Sequence, residues 1–309
     1  MATLLIGTSK DYSGTFLFNI DTLDFTAEAD ATFRGSQFGG GQISTSLHID
    51  GSAGINRIIV NTGVGGFNGA NWTFAAWQAT DRVVVNGSIF GETLNGTIRN
   101  DVISGNDGAD KIFGDVGDDV ISGGAGGDRL DGGLGLDWLS YKTSAAAVSV
   151  NLATGRVLGG EATGDSIANF ENVLGGLGGD TLVGDGGVNR LRGGLGADTS
   201  TGAGGADRFI FRSIAETPVG AGHDRITDFS QADGDRIDLS GIDAIARTAL
   251  TKEAFHFVAT GALLAAGDLH VVRGIGVTLV QGDVTGDGRA DFEIALTGNI
   301  MPTAADFIL

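Results

Sequence analysis

Single apolar residues recur at every ninth position through the middle of this chain. In a first block they are Leu94, Ile103, Ile112, Ile121, Leu130 and Leu139. In a second block they are Leu182, Leu191 and Phe209, with Ser200 in the intervening place. One inward apolar side chain in each segment predicts very short strands. Because such strands are stable only when they stack on copies of themselves, the period predicts a solenoid around a column of leucine and isoleucine.

Two positions before these apolar residues stands a carboxylate, and glycine opens each unit. The acids are Glu92, Asp101, Asp110, Asp119, Asp128, Asp137, Asp180, Asp198 and Asp207, with Asn189 in one place of the series. The unit reads G-G-x-G-x-D-x-U-x, where U is apolar. Glycine permits the positive φ angles and close backbone approach that tight turns need. Two units therefore predict one coil of 18 residues with a turn on each side.

This spacing places the acids in two rows, one along each edge of the solenoid. One row holds Asp101, Asp119 and Asp137, and the other holds Glu92, Asp110 and Asp128. Carboxylates on successive coils would lie about 4.8 Å apart. Like charges at that distance repel each other unless a cation lies between them. Carboxylate and carbonyl oxygens suit Ca²⁺ better than Zn²⁺.

The repeat resembles the calcium-binding nonapeptide of the RTX family. The resemblance implies an all-β fold, a parallel β-roll with several Ca²⁺ ions between successive glycine-rich turns. It implies metal ligands at Asp101, Asp110, Asp119, Asp128, Asp137, Asp180, Asp198 and Asp207, and in the turns at Gly105, Gly108, Gly114, Gly117, Gly123, Gly126, Gly132, Gly135, Gly175, Gly178, Gly193 and Gly196. We expect weak or missing sites at Glu92 and Asn189, and the most complete site at Asp119. Ten units in one register disfavour the alternative, a glycine-rich solenoid without metal.

Residues 141–174 interrupt the period. The stretch "AAVSVNLATG" predicts a strand and a turn, and "GDSIANFENVLGG" restores the register at Asp165 and Ile167. Such an insert resembles those of other RTX chains. We interpret it as a further coil of the same roll with an outward loop at 152–163, and a separate functional loop is the alternative.

The last third resembles the C-terminal domain of serralysin-type secreted proteases, and a similar module ends secreted alginate epimerases. The motifs "DRITDF", "DGDRIDLSGIDA" and "GDVTGDGRADFEIAL" carry the resemblance over roughly 205–309. It implies an uncleaved type I secretion signal, which the closing Asp306-Phe307-Ile308-Leu309 matches.

The loop with Asp283, Thr285, Asp287 and Asp291 also resembles a calcium loop, but it lacks the acid at the twelfth position of an EF-hand. A polar hairpin turn is the favoured interpretation of that loop.

Alternating strands fill the first 86 residues, and "GSAGINRII" fits a degenerate repeat. The sequence therefore predicts three parts. Residues 1–86 form a metal-poor, solenoid-like cap, residues 87–210 form the calcium-binding roll with its insert at 141–174, and residues 211–309 form the serralysin-like domain. Trp72 and Trp77 could stack on a sugar ring, although core packing is the favoured interpretation.

Composition and missing motifs exclude several classes of function. The chain has 38 acidic and 19 basic residues, a net charge of −19, which disfavours nucleic-acid or anionic-membrane binding. There is no cysteine, so disulfides and thiolate zinc sites are excluded. The N-terminal sequence lacks the basic region of a Sec signal peptide, and no apolar run is long enough to span a membrane. None of the four histidines lies in an H-E-x-x-H motif, and no G-x-S-x-G elbow occurs.

These observations favour a secreted, extracellular calcium-binding protein that is not an enzyme. Its expected partners are calcium, the type I secretion machinery and a cell-surface or extracellular polysaccharide. One alternative is a carbohydrate-active β-helix enzyme that uses acids such as Asp21, Asp24 or Asp81 of the N-terminal region. Another alternative is a secretion and folding module for a separate enzyme.

Overall fold

The chain is almost entirely β-structure. The computed structural model describes residues 2–15, 17, 20–38, 43–246, 252–258, 263 and 265–309. Its first strands are β1 (Ala2–Ile6), β2 (Lys10–Asp11), β3 (Ile20–Phe25), β4 (Asp30–Arg34), β5 (Ile43–Asp50), β6 (Arg57–Asn61), β7 (Phe67–Asn68), β8 (Thr73–Ala75), β9 (Arg82–Asn86), β10 (Thr93–Asn95), β11 (Asp101–Asp107), β12 (Lys111–Phe113), β13 (Val120–Ala125), β14 (Arg129–Asp131) and β15 (Trp138–Ser140).

The chain continues with β16 (Ser149–Asn151), β17 (Arg156–Leu158), β18 (Ser166–Ala168), β19 (Asn172–Leu174), β20 (Thr181–Val183), β21 (Arg190–Arg192), β22 (Thr199–Thr201), β23 (Arg208–Ile210), β24 (Asp224–Ile226), β25 (Arg236–Asp238), β26 (His256–Phe257), β27 (Asp268–Arg273), β28 (Val277–Asp283), β29 (Phe292–Thr297) and β30 (Phe307–Ile308). Short 3₁₀ helices lie at Gly35–Gln37, Gly160–Ala162 and Ala304–Asp306. The described residues form two compact units. Unit 1 is Met1–Ser140 with Glu161–Phe170, and unit 2 is Tyr141–Gly160 with Glu171–Leu309.

Unit 1 is a parallel solenoid. Its strands form the ladders β2-β4-β6-β9-β11-β13-β15, β18-β14-β12-β10-β7 and β1-β3-β5-β8. Every pair within these ladders is parallel, and Ile103 faces Ile121 one coil later. Parallel strands of one chain need a long connection back to the same edge, and here the next strand of the coil supplies it. The predicted parallel β-roll is confirmed.

Two apolar columns fill the interior of the repeat region. Ile103, Ile121 and Leu139 are at most 1% exposed in one column, and so are Ile112 and Leu130 in the other. Burial of such a side chain stabilises a fold by about 1.5–3 kcal/mol. Each coil contributes only two of these side chains, so the stacking of coils is what builds a core.

The N-terminal coils are longer and have an aromatic core. Asn56 and Asp81 occupy equivalent places on neighbouring coils, 25 residues apart, whereas the repeats are spaced by 18. Trp72 is 1% exposed and Trp77 is 8% exposed. The ring of Trp72 packs against Phe38, with centroids 5.2 Å apart. Both tryptophans therefore belong to the core, in agreement with the interpretation that the sequence favoured.

Unit 2 joins parallel coils to an antiparallel hairpin sheet. Its ladders are β19-β21-β23-β25-β30 and β17-β16-β20-β22-β24-β29-β28-β27-β26. The pairs β27–β28 and β28–β29 are antiparallel. The insert supplies β16, which pairs in parallel with β20 and forms an antiparallel hairpin with β17. Part of the insert is thus a coil, and the outward segment after it folds into a hairpin.

Glycine is indispensable where one turn lies directly on the next. Gly126 has φ +148°, and a Cβ at this position would overlap the carbonyl oxygen of Gly108 on the preceding coil. We expect Gly126→Ala to lower the free energy of unfolding at saturating calcium by about 1–3 kcal/mol, as measured by urea denaturation. Gly186→Ala is the control, because a Cβ there meets nothing within 4 Å. Equal losses in the two variants would contradict this prediction.

Candidate metal centre

Hydrogen bonds between each repeat aspartate and the coil before it line both edges of unit 1. On one edge, Asp119 Oδ1 accepts from the Asp101 amide at 2.7 Å, and Asp137 Oδ1 accepts from the Asp119 amide at 2.8 Å. On the other edge, Asp128 Oδ1 accepts from the Asp110 amide at 2.9 Å. Each of these five aspartates is at most 2% exposed. The stacking of carboxylates that the sequence predicts is therefore present.

The second carboxylate oxygen of three of these residues is buried and has no hydrogen-bond partner among the residues that the structure describes. The atoms are Oδ2 of Asp110, Asp119 and Asp128. Each lies against the glycine that opens its own unit, so that a Cβ on Gly105, Gly114 or Gly123 would collide with it. A buried carboxylate oxygen with no partner is strongly destabilising. A bound cation would remove this penalty.

Backbone carbonyls of the adjacent coil converge on the same turns. A Cβ on Gly124 would overlap the carbonyl oxygen of Asn106, and a Cβ on Gly135 would overlap that of Gly117. No group of three or more histidine, cysteine or acidic side chains gathers at one point in the described ranges. The candidate donors at each turn are one or two carboxylates together with carbonyl oxygens. This all-oxygen set suits Ca²⁺.

Burial and mutual repulsion shift the titration of these carboxyls. Burial, followed by the charges of Asp101 and Asp137, raises the pKa of Asp119 to about 9. Burial raises the pKa of Asp101 to about 8, and those of Asp110 and Asp128 to about 6. The fold therefore disfavours the ionised form of the groups that must be ionised to bind calcium.

The N-terminal ends of both rows are closed by hydrogen bonds from the protein itself. Glu92 Oε1 accepts from Thr62 Oγ1 at 2.9 Å, and Glu92 Oε2 accepts from the Ser88 amide at 2.6 Å. Asp101 Oδ2 accepts from the Thr97 amide at 2.5 Å. With their oxygens satisfied in this way, Glu92 and Asp101 have less need of a cation than the aspartates further along.

The insert completes the row that ends at Asp128. Asp165 Oδ1 accepts from the Asp128 amide at 2.8 Å, and β18 pairs with β14 directly after it. Asp128 thus has a neighbour on both sides, as Asp119 has. The sequence pattern D-x-I at Asp165 signalled the return of the register, but Asp165 was not among the predicted ligands.

Unit 2 repeats the arrangement, at the same spacing of 18 residues for two contacts and after a longer connection for the third. Asp198 Oδ1 accepts from the Asp180 amide, Asp224 Oδ1 accepts from the Asp198 amide, and Asp207 Oδ1 accepts from the Asn189 amide, at 2.7, 2.9 and 2.8 Å. Oδ2 of Asp198 is buried, and no described residue forms a hydrogen bond with it. Burial raises the pKa of Asp198 to about 7.

Two acids of unit 2 that extend these rows were missed by the repeat pattern. Asp224 continues the row of Asp198, and Asp235 Oδ1 accepts from the Asp207 amide at 2.9 Å. They lie 26 and 28 residues after their partners, so a nine-residue period does not reach them. Their signal is the D-x-U triplet alone, in Asp224–Ile226 and Asp235–Ile237.

Three further side chains of unit 2 are satisfied within the protein: that of Asp180, which the sequence predicts as a ligand, that of Asn189, where it predicts a weak or missing site, and that of Asp283. Asp180 Oδ2 accepts from the Gly176 amide at 2.6 Å, and Asn189 Oδ1 accepts from the Asp185 amide at 2.8 Å. In the C-terminal hairpin loop, Asp283 accepts from the Gly286 and Gly288 amides at 2.6 and 2.8 Å. This bonding is that of a polar turn, and the favoured interpretation of the loop stays a prediction.

We expect Asp119→Asn to weaken calcium binding at its turn by about tenfold or more, because a charge-assisted ligand is lost. The amide side chain keeps an acceptor for the Asp101 amide, so the coil itself is retained. Calcium titration calorimetry of the purified chain measures the change. The control is Asp107→Asn, which removes the same charge at an exposed position. Calcium binding by Asp119→Asn as tight as by the control would refute the assignment.

The raised pKa values make both folding and calcium binding depend on pH. An exposed aspartate has a pKa of about 3.9, so between about pH 4 and pH 9 the metal-free fold binds more protons than the unfolded chain. Its stability therefore falls as the pH rises through this window. Calcium affinity rises over the same window, since protons compete for the same carboxylates. Calorimetry at about pH 5.5 and pH 8 should show tighter calcium binding at the higher pH, and equal affinities would contradict this explanation.

Two family models match the chain. The model described as RTX calcium-binding nonapeptide repeat (4 copies) matches residues 86–121 and 106–139. The model described as peptidase M10 serralysin C terminal matches residues 130–309. No curated protein matches the chain.

Several solved structures resemble parts of it. The solution structures of the AlgE6R2 and AlgE6R3 subunits from the Azotobacter vinelandii mannuronan C5-epimerase are 21% and 23% identical, with TM-scores of 0.22 and 0.20. Each match covers 72% of this chain, and 90% and 80% of those chains. The crystal structure of the extracellular lipase LipA from Serratia marcescens is 14% identical over 74% of this chain and 40% of that chain, with a TM-score of 0.26.

Both matched families are typically found in secreted proteins, and RTX nonapeptide repeats bind calcium ions. The serralysin model covers more than half of the 309 residues. The chain is thus a calcium-binding RTX β-roll protein that belongs to the peptidase M10 serralysin C-terminal family.

Proposed function

We propose that this chain is a secreted, non-catalytic protein that folds when it binds extracellular calcium and then associates with a cell-surface or extracellular polysaccharide. The observation that carries the proposal is the buried Oδ2 atoms of Asp110, Asp119, Asp128 and Asp198, which have no hydrogen-bond partner in the described part of the chain. A fold that buries such atoms is strongly dependent on a cation to complete it.

Calcium dependence follows from the energetics of the roll. Without cations, Asp101, Asp119 and Asp137 repel one another along one edge, and the strands of three to seven residues bury little surface each. At the low calcium concentration inside a cell, the roll remains unfolded, which suits export through a type I secretion channel. At extracellular calcium concentrations, the free energy of binding becomes free energy of folding.

The turns at Asp110, Asp119, Asp128 and Asp198 are the proposed principal calcium sites, because their second oxygens lack a partner. Backbone carbonyl oxygens of the glycine turns complete the ligand set of each site. The bound ion neutralises the repulsion between the carboxylates of a row. Asp101 and Asp180 already use both oxygens within the protein, so we assign weaker sites to them. Asp137 and Asp207 remain candidate ligands because they occupy the aspartate position of the nine-residue repeat.

The proposed organisation keeps three parts. Residues 1–86 cap the solenoid, residues 87–210 bind calcium, and residues 211–309 carry the secretion signal. The closing strand Phe307–Ile308 pairs with Arg236–Asp238 in unit 2, which supports a folded role for the tail after export. None of the helices in the described residues has the length and apolarity to cross a membrane.

Among the N-terminal acids, Asp81 fits a structural role better than a catalytic one. Asp81 is 1% exposed, and its carboxylate oxygens accept from the backbone amides of Asn56 and Gln78 at 2.8 and 2.7 Å. A carboxylate held in this way stabilises the turn between coils and is shielded from a substrate. The matched families are a repeat and a C-terminal module, which also favours a non-catalytic protein.

Removal of calcium should unfold the roll reversibly. We expect circular dichroism to show loss of β-structure in EGTA and its full return when calcium is added in excess. Magnesium at the same concentration is the control, because it holds its hydration water more tightly and demands stricter octahedral geometry. A β-signal that EGTA leaves unchanged would refute calcium-dependent folding.

A further inference from the structure

The N-terminal coils of unit 1 hold a cavity of about 640 Å³ that the calcium rows do not use. It lies beside the ends of β4 and β6 and of the short strands β7 and β10. We propose that this cavity binds an acidic oligosaccharide, with one sugar carboxylate at Arg34 and sugar hydroxyls on a set of asparagines. The inference rests on the proposed polysaccharide association and gives it a site.

The polar lining is arranged in register on successive coils. Arg34 faces Asn61 in the parallel pairing of β4 with β6, and Asn95 faces Asn68 in that of β10 with β7. A side-chain amide offers two donors and an acceptor, which matches the mixed donor and acceptor character of a sugar hydroxyl. Stacked coils repeat such an amide about every 4.8 Å, so a chain-like ligand can meet an amide at each level.

Asn61 is held in place from the next coil. Its Oδ1 accepts from Asn86 Nδ2 at 2.9 Å, and Asn61 itself is exposed. This contact fixes the orientation of the Asn61 amide with its nitrogen left to face a ligand. An amide that is already oriented loses little entropy on binding.

An aromatic ring gives the cavity its apolar wall. Phe38 lines it beside Phe67, and the two rings are in an edge-to-face arrangement with centroids 5.8 Å apart. Phe38 is half-buried and packs on Trp72 below. A rigid aromatic face among amides is the surface on which the apolar face of a sugar ring packs.

Charge indicates that the sugar is acidic. Of the lining residues that the structure describes, Arg34 is the one that is charged, in a chain with a net charge of −19. Among the described residues Arg34 forms no ion pair. It contributes, after the hydrogen bonds from Ser13, to lowering the pKa of Asp11. A guanidinium binds a carboxylate through two parallel hydrogen bonds. A single cation is too few for a nucleic-acid backbone, which needs several.

A second cavity adjoins the first along the coils, and the two together favour a ligand of several sugar residues. The second cavity, of about 470 Å³, shares Asn95 with the first and is also lined by Phe113, Asp131 and Asn169. Asp131 Oδ1 accepts from Asn169 Nδ2 at 2.7 Å. Because this second part carries acids, it takes neutral, hydroxyl-bearing units, and the acidic unit belongs at Arg34.

Three variants of the full, calcium-loaded chain test the site. Gly65 lines the cavity, and a Cβ there meets no atom of a described residue within 4 Å, so Gly65→Phe should fill the cavity without strain. Gly14→Phe is the matched control, since Gly14 has the same open surroundings outside the cavity. Arg34→Gln removes the charge and keeps a polar side chain.

The ligands for titration calorimetry are an oligosaccharide of alternating glucuronate and neutral sugars and a neutral cello-oligosaccharide of the same length. Inorganic phosphate tests whether Arg34 takes any anion. We expect the original chain and Gly14→Phe to bind the acidic oligosaccharide equally and Gly65→Phe to lose binding. For Arg34→Gln we expect a loss of about tenfold or more. Phosphate alone should not compete.

Each outcome decides between this site and the wider function. Binding by Gly65→Phe as tight as by the control, or displacement of the sugar by phosphate, would overturn the cavity as a saccharide site. If Gly65→Phe still binds whole extracellular polysaccharide, association occurs elsewhere, so the proposed function stands and the cavity assignment fails. If no variant binds any saccharide while circular dichroism shows the calcium-dependent fold, both polysaccharide proposals fail. If calcium bridged the sugar directly, all three variants would bind it equally, and this result would also overturn the cavity assignment.

Discussion

The fold depends on one recurring contact, in which an aspartate carboxylate accepts a hydrogen bond from the backbone amide one coil earlier. Asp119 does this for Asp101, and Asp128 does it for Asp110. The contact fixes the register of coils whose strands are too short to fix it themselves. It also buries a row of like charges, so the same interaction that aligns the roll creates its need for cations.

The two halves of unit 1 meet this constraint in different ways. In the N-terminal coils, Asp81 has its oxygens bonded to the Asn56 and Gln78 amides, and the coil is closed by polar groups of the protein. In the repeats, glycine replaces the residues that could supply such groups, and Asp119 Oδ2 faces only the turn. A protein that satisfies its own carboxylates is stable without ions, whereas one that leaves them open can respond to the calcium concentration around it.

Much of this could be predicted from the sequence because the repeat is local. The period of nine fixed the solenoid, the apolar columns and the stacking of acids from Asp101 to Asp137. The rest depends on contacts between distant residues. Asp224 and Asp235 join the rows after connections of 26 and 28 residues, and no spacing rule reaches that far. The cavity at Arg34 could not be predicted either, because its walls come from N-terminal coils that differ in length.

The insert shows what the roll tolerates. Asp165 follows Asp128 by 37 residues, where regular repeats are spaced by 18, yet the triplet that begins at Asp165 returns to register with a hydrogen bond of 2.8 Å. The acceptor always belongs to the later coil and the donor to the earlier one. The aspartate contact therefore has a polarity: truncation from the C-terminal side removes the carboxylate that accepts from an aspartate amide of the coil that remains. Because a chain is synthesised from its N-terminus, each carboxylate acceptor is made after the amide that it binds.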